Sequence, residues 1–270
     1  LRVPGTRRGD DLAHRRAGGA DVRIVYSPMD VLDMAEAEPE RQFVFLGVGF
    51  ETTAPGTAAA LLEAGRRGVD NFTVFSMLKR VEPALRALIA SDGFAIDGFI
   101  CPGHVAVITG ADEFRFLPRE YGLPATVAGF EPEDILLAVC HLVEMLERGE
   151  PALVNDYERA VTAGGNELAQ RAIERVLEPR RDIWRGLGEI EASGLGIRPE
   201  FAQFDAEVRF NIEIRPAGLK TPCRCGDVIT GRIHPHECPM FERECTPDDP
   251  LGPCMVSSEG ACAAAYKYMC

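Results

Sequence analysis

The 270-residue sequence contains no run of eighteen or more apolar residues, which leaves it without a candidate membrane-spanning helix. Its opening, Leu1-Arg2-Val3-Pro4-Gly5, has neither the apolar stretch nor the cleavage site of a secretory signal. Basic residues are in short supply: 29 Lys and Arg stand against 42 Asp and Glu, a net charge of -13, and the acids are spread along the chain rather than gathered in a tail. Phosphate backbones require a basic face, so no nucleic-acid partner is expected, and no membrane either. A soluble cytoplasmic protein is the expectation. The paired C-x2-C knuckles of common zinc modules are also missing, although there are nine cysteines. The first residue is Leu rather than Met, which reads as a fragment or a partial gene product.

What is present is globular in composition. At 46% hydrophobic and 26% charged residues the chain can bury one large or two modest cores. From about residue 20, short β-branched runs alternate with helical patterns. Val22 to Tyr26 reads as a strand, and Ser27-Pro28-Met29-Asp30 as a helix start with an N-cap, Pro at N1 and an acid three residues on. Phe43 to Val48 is continuously apolar, as in a strand buried on both faces of a parallel sheet. Phe72 to Phe75, Gly98 to Cys101 and Thr126 to Ala128 are further strand candidates. Helices are expected over Ala54 to Arg66, Val81 to Ala90 and Pro132 to Arg148, the last with Ile135, Leu136, Val139, Leu142, Val143 and Leu146 on one stripe.

This alternation implies parallel βαβ units in a doubly wound sheet. The expected organisation is an α/β domain over residues 1–150, a polar, mainly helical bridge over 151–200 with a helix at Asn166 to Leu177, and a small irregular Cys-rich domain over 201–270. Glu207 to Ile214 alternates like a half-exposed strand.

Seven of the nine cysteines fall in the final 48 residues, and six of them, Cys223, Cys225, Cys238, Cys245, Cys254 and Cys262, within 40. Cytosolic thiols are kept reduced, so such a set points to metal or redox chemistry before structural disulfides. Three readings remain open: a 4Fe-4S cluster, which takes four thiolates at varied spacings and spares two; zinc with His234 or His236 among its ligands; and plain disulfides. In extended backbone Cys223 and Cys225 point to one side and can face a common centre.

Two motifs in the α/β part stand at carboxyl ends of strands, where open sheets bind ligands. Gly49-Phe50-Glu51-Thr52-Thr53-Ala54-Pro55 opens a helix; Thr52 or Thr53 could simply cap it. Cys101-Pro102-Gly103-His104 opens another; its thiol and imidazole could bind iron, exchange protons, or be a buried Cys beside a satisfied His. Cys140-His141 on the long helix reads as packing.

The strings CRCGDVITG, ECPMF, CTPDDPLGPCMVSSEGACAA and YKY closely resemble the C-terminal signature of the HypD family of NiFe-hydrogenase maturation proteins. RVPGTRR, ADVRIVYSP, GFETTAP and CPGHVAVITG resemble the same family in the same order, so the likeness covers nearly the whole chain. It implies a 4Fe-4S cluster beside a redox-active cysteine pair, similar to the arrangement in ferredoxin:thioredoxin reductase. By position it implies Cys223, Cys238, Cys245 and Cys262 as cluster ligands and Cys225 with Cys254 as the pair, leaving Cys270 outside the motif. Glu51, Thr52, Thr53, Cys101 and His104 become candidates for an assembly crevice. The implied role is a scaffold that assists assembly of a transient Fe(CN)2CO centre, with a HypC-type chaperone and a HypE-type cyanide donor as partners. The rival functions are a cluster-dependent thiol-disulfide reductase and a zinc-stabilised interaction module. The family's Cys-Gly-Gly-His and Cys-Pro-Val-Cys strings do not occur here, which marks the chain as an N-terminally truncated member with most of the iron-assembly site outside it.

Overall fold

The computed structural model describes residues 11–184, 187–213 and 221–269. After α1 (Leu12–Ala17) and α2 (Pro28–Ala37), the chain runs through β1 (Phe43–Gly49), α3 (Ala54–Arg67), β2 (Phe72–Leu78) and α4 (Val81–Ile89). It continues with β3 (Phe99–Pro102), α5 (Gly103–Thr109), α6 (Phe116–Tyr121), β4 (Ala125–Ala128), α7 (Pro132–Arg148), β5 (Leu153–Asn155) and α8 (Glu167–Val176). Then follow β6 (Leu177–Trp184), β7 (Gly188–Ile197), α9 (Ala206–Arg209), α10 (Cys225–Ile229), α11 (Pro253–Val256) and α12 (Ala261–Tyr268). No helix among the described residues is long and apolar enough to cross a membrane.

The α/β expectation holds, and the strands pair in parallel as βαβ connections demand. They fall, however, into two sheets: β1 with β2, and β3 with β4 and β5. One apolar core lies between the first sheet, α2, α3, α8 and the β6–β7 hairpin, with Leu32, Leu61, Phe72, Leu177 and Phe204 fully enclosed. A second lies around β3, β4, α5 and α6, with Phe114, Leu117 and Val127 at its centre.

Local signals set several elements where the sequence placed them. At α2, Ser27 accepts from the Met29 N–H and Asp30 from the Ser27 N–H, the reciprocal capping pattern expected there. The bounds of α7 match the expected Pro132 to Arg148, and α8 is capped by Asn166, whose side chain accepts from Ala169 N.

Other expectations fail for tertiary reasons. Val22 to Tyr26 is not a strand, because no neighbouring strand pairs with it; Arg23 is held instead by Asp21 and Glu38. β1 is not buried on both faces: Phe43, Phe45 and Gly47 face the first core, whereas Val44, Leu46 and Val48 are 42%, 37% and 62% exposed, since helices cover only one side. The α7 stripe likewise divides, with Ile135 and Leu142 half-buried but Leu136, Val139, Val143 and Leu146 exposed, while Asp134 and Ala138, off the stripe, are the buried residues of the helix. Residues 151–200, expected as a helical bridge, hold α8 but also β5 and the antiparallel β6–β7 pair. Gly194 and Gly196 hid that strand from a pattern reading, yet they leave room for Asp182 and Arg180 opposite them. Arg180 then reaches Glu207 and the Ser76 carbonyl, and Ser76 Oγ donates to Leu195 O at 2.6 Å, locking the hairpin to β2. Glu207 to Phe210, expected as strand, lies in the helical turn α9 and its exit, nucleated by Asp205 accepting from Glu207 N; Ile214 lies outside the described residues.

Candidate functional site

The cysteine segment folds around its own sulfurs. Cys225, Cys238, Cys245, Cys254 and Cys262 are buried and Cys223 half-buried, and together with Met240, Met255 and Val228 they form a third core walled by Phe241 and Tyr266. Short local devices bring them together. Cys225 opens α10; the 3-10 turn at Pro235–Glu237, tied by Glu237 accepting from His234 N at 2.7 Å, delivers Cys238; Cys254 sits in α11 and Cys262 at the start of α12. Gly252 packs so tightly that a Cβ there would lie 2.8 Å from Cys223 Sγ and 3.3 Å from Cys225 Sγ, so both sulfurs of the C-x-C face α11.

Backbone N–H groups point at two of the sulfurs: Arg224 N donates to Cys238 Sγ at 3.5 Å and Leu251 N to Cys245 Sγ at 3.3 Å. Such donors stabilise a thiolate and are the kind of contact that tunes a metal-bound sulfur. Cys254 Sγ lies 3.2 Å from Cys262 Sγ. The hydrogen bond from Cys254 holds the Cys262 thiol below its ordinary range. The Cys225 thiol is pushed up to about 11: its contact with Cys223 pulls it down, but the contact with Cys254 and burial outweigh that. His234 and His236 remain outside, exposed and stacked on each other at 5.5 Å.

Among the described residues no three His, Cys, Asp or Glu side chains are arranged to hold a metal ion as they stand. The thiols touch one another instead. In number and kind they fit a cluster that takes four thiolates: an all-sulfur donor set, buried, with N–H donors aimed at two sulfurs. Cys262 as a cluster ligand would retain lone pairs for the contact from Cys254.

The two strand-end motifs lie in the α/β part. Glu51, just past β1, is 6% exposed; one carboxylate oxygen accepts from Val81 N at 2.8 Å, and the other is buried without a hydrogen-bond partner. Thr52 and Thr53 are exposed, and Thr53 Oγ1 donates to Phe50 O at 3.0 Å rather than capping α3. At the end of β3, Cys101 is buried in the second core, which drives its thiol far above the ordinary 9.0 by desolvation alone. His104 faces the other way, exposed, with its ring 4.8 Å from Phe130 and 6.3 Å from Tyr157.

The profile of the HypD family, described as the hydrogenase formation hypA family, matches residues 1–269. The chain belongs to the HypD family. It is 45% identical over 275 residues to the hydrogenase maturation factor HypD of Rhodobacter capsulatus and 44% identical over 275 residues to that of Cupriavidus necator. It is 45% identical over 269 residues to that of Escherichia coli K12; each alignment covers 99% of this chain and 72% of the relative. An archaeal relative, the putative hydrogenase expression/formation protein of Methanocaldococcus jannaschii, is 39% identical over 267 residues.

In this HypD-family chain the structure brings the six motif thiols together, while Cys101 and His104 face opposite environments. Cys140 is exposed rather than packed, and His141 Nδ1 pairs with Asp156 Oδ1 at 2.8 Å. Sequence reasoning missed Phe130, Tyr157 and Arg159, which gather beside His104. Arg159 stacks on Tyr157 at 4.5 Å and binds Asp134 in a two-pronged pair. The available signal was their position, just past the carboxyl ends of β4 and β5.

Glu51 allows a pH test. Burial raises its carboxyl above the ordinary 4.5, opposed by the Val81 N–H and by Arg80, and reinforced by Glu113. Folding therefore favours the neutral acid: its contribution is complete below the unfolded value and is lost as pH rises through the folded one. Glu51→Gln, which keeps an acceptor for Val81, is expected to raise Tm at about pH 7.5 and to leave it unchanged below about pH 4. A Tm that responds equally at both pH values would contradict this.

Proposed function

We propose that this chain serves hydrogenase maturation, the role its family carries, as a redox-active scaffold whose cysteine segment holds a 4Fe-4S cluster beside a dithiol pair. The observation that carries the reading is the gathering of six thiols, five of them buried, in one small core with backbone N–H groups directed at two sulfurs. The exposed positions of His234 and His236 count against the zinc module, which would draw on one of them.

By position in the family motif, Cys223, Cys238, Cys245 and Cys262 hold the cluster, and Cys225 with Cys254 is the pair. The cluster supplies one electron at a time, whereas a disulfide takes two, so the neighbouring thiols can store what is delivered stepwise. Cys238 and Cys245 each accept a backbone N–H, from Arg224 and Leu251 respectively, a contact suited to a metal-bound sulfur. A second reading exchanges Cys223 and Cys225. It is favoured by exposure: Cys223 is the half-buried thiol, the one a partner's sulfur can reach, and Cys225 the enclosed one.

The site would assist assembly of an Fe(CN)2CO centre as cargo, in contact with a HypC-type chaperone and a HypE-type cyanide donor. Glu51, Thr52, Thr53 and His104, at strand carboxyl ends, are the side chains offered to that crevice, with Cys101 buried at the end of β3. Anaerobic purification followed by metal analysis tests the core of this proposal. About four iron and four sulfide per chain are expected; stoichiometric zinc in a colourless protein would remove it. A stable complex with the small chaperone separates the scaffold from a free-standing thiol-disulfide reductase.

A further inference from the structure

The six thiols are not equivalent in their contacts. The Cys223 and Cys225 sulfurs both lie against Gly252, at the start of the helix that carries Cys254, and Cys254 Sγ meets Cys262 Sγ, so the sulfurs follow one another from the half-exposed Cys223 to the buried Cys262. The inner end is the tightest. Gly260 folds back onto Cys254 so closely that a Cβ there would sit 2.3 Å from the Cys254 carbonyl oxygen, with Gly260 N bonded to Ser257 O at 3.0 Å. That reversal sets Cys262 Sγ 3.2 Å from Cys254 Sγ, in a pocket closed by Met255 and Ala263. A cluster ligated by Cys262 and a Cys254–Cys262 disulfide are mutually exclusive uses of one sulfur, and the 3.2 Å contact is the approach from which that disulfide would form.

We propose that in the cluster-free chain Cys254 and Cys262 close into a disulfide that withdraws a ligand, so that cluster loading is gated by thiol redox state. This rests on the reading of Cys262 as a ligand. The oxidant is a small-molecule disulfide such as oxidised glutathione. Cys223 thiolate attacks it, forming a mixed disulfide and releasing one glutathione thiol; Cys225 attacks the Cys223 sulfur and releases the second. Cys254 then attacks Cys225, restoring the Cys223 thiol, and Cys262 attacks Cys254, restoring Cys225. In sum, two protein thiols give up two electrons and two protons, one S–S bond forms, and one glutathione disulfide becomes two thiols. Two electrons from a dithiol reductant reopen the site.

The test uses the whole chain, stripped of iron by a chelator without oxygen and then treated with oxidised glutathione. Free thiols are alkylated and the protein is cut after Glu259, which separates Cys254 from Cys262. The expected product joins those two peptides. Iron uptake on reconstitution without reductant should fall about tenfold and return with dithiothreitol. Cys223→Ser should slow formation of the link about tenfold without changing which cysteines it joins. An end product linking Cys223 with Cys225 or Cys225 with Cys254, unaltered iron uptake, or an unslowed Cys223→Ser variant would overturn the proposal. A fully reduced chain that takes up no iron would remove the cluster reading and the gating with it, while the peptide map still decides the disulfide.

Discussion

Replacing Cys238 by Ala is expected to remove essentially all iron and sulfide from the protein and to unfold the cysteine segment. Cys238 is buried, accepts the Arg224 N–H, and closes the turn that starts at His234. The third core consists largely of cysteines with two methionines and few aliphatic side chains, too little apolar surface to order a Pro- and Gly-rich segment without help. Where metal binding and folding are one equilibrium, the free energy at stake is about 10–16 kcal/mol for a comparable thiolate-held structural metal, so losing a ligand acts as a switch rather than a graded loss. Hydrogen exchange should rise over residues 223–262 and stay low in β1, β2 and α3, whose core is separate. A Cys238→Ala protein that retains a full complement of iron would contradict the assignment of this thiol.

Cys223→Ala and Cys225→Ala are expected to behave oppositely despite their single-residue separation. One should arrive with no iron and the other with about four per chain but without a two-electron thiol couple. If the motif position governs, Cys223→Ala is the empty variant; if burial governs, it is Cys225→Ala. Iron analysis combined with a dithiol titration of anaerobic protein reads the answer directly. Loss of iron from both, or from neither, would show that the division into four ligands and two exchanging thiols is wrong.

Residue spacing alone was enough for much of the molecule. The helical pattern and Pro start of α7, the Ser27–Asp30 cap of α2, the alternation of strands and helices from β1 to α7, and the six-cysteine set are all legible in the order of residues along the chain. Helix periodicity and capping are local properties, and six thiols in one Pro- and Gly-rich segment with little apolar surface of its own point to a shared centre. The family likeness came from the same source, long strings of adjacent residues.

Tertiary structure decided the rest, because it depends on what a segment meets rather than on what it contains. Val22 to Tyr26 has strand-like residues but no strand to bond. Val44, Leu46 and Val48 are apolar yet exposed because α2 and α3 lie only on the opposite face of β1. Gly194 and Gly196 in β7 interrupt any strand pattern, and the space they leave is filled by Asp182 and Arg180 of β6. Cys101 and His104, three residues apart, part company because one belongs to a strand facing the core and the other to a helix facing out. Likewise the sequence determined which thiols gather, whereas only the folded turn at Gly260 decided that Cys254 touches Cys262: contact order among sulfurs is set by backbone approach, which spacing does not encode.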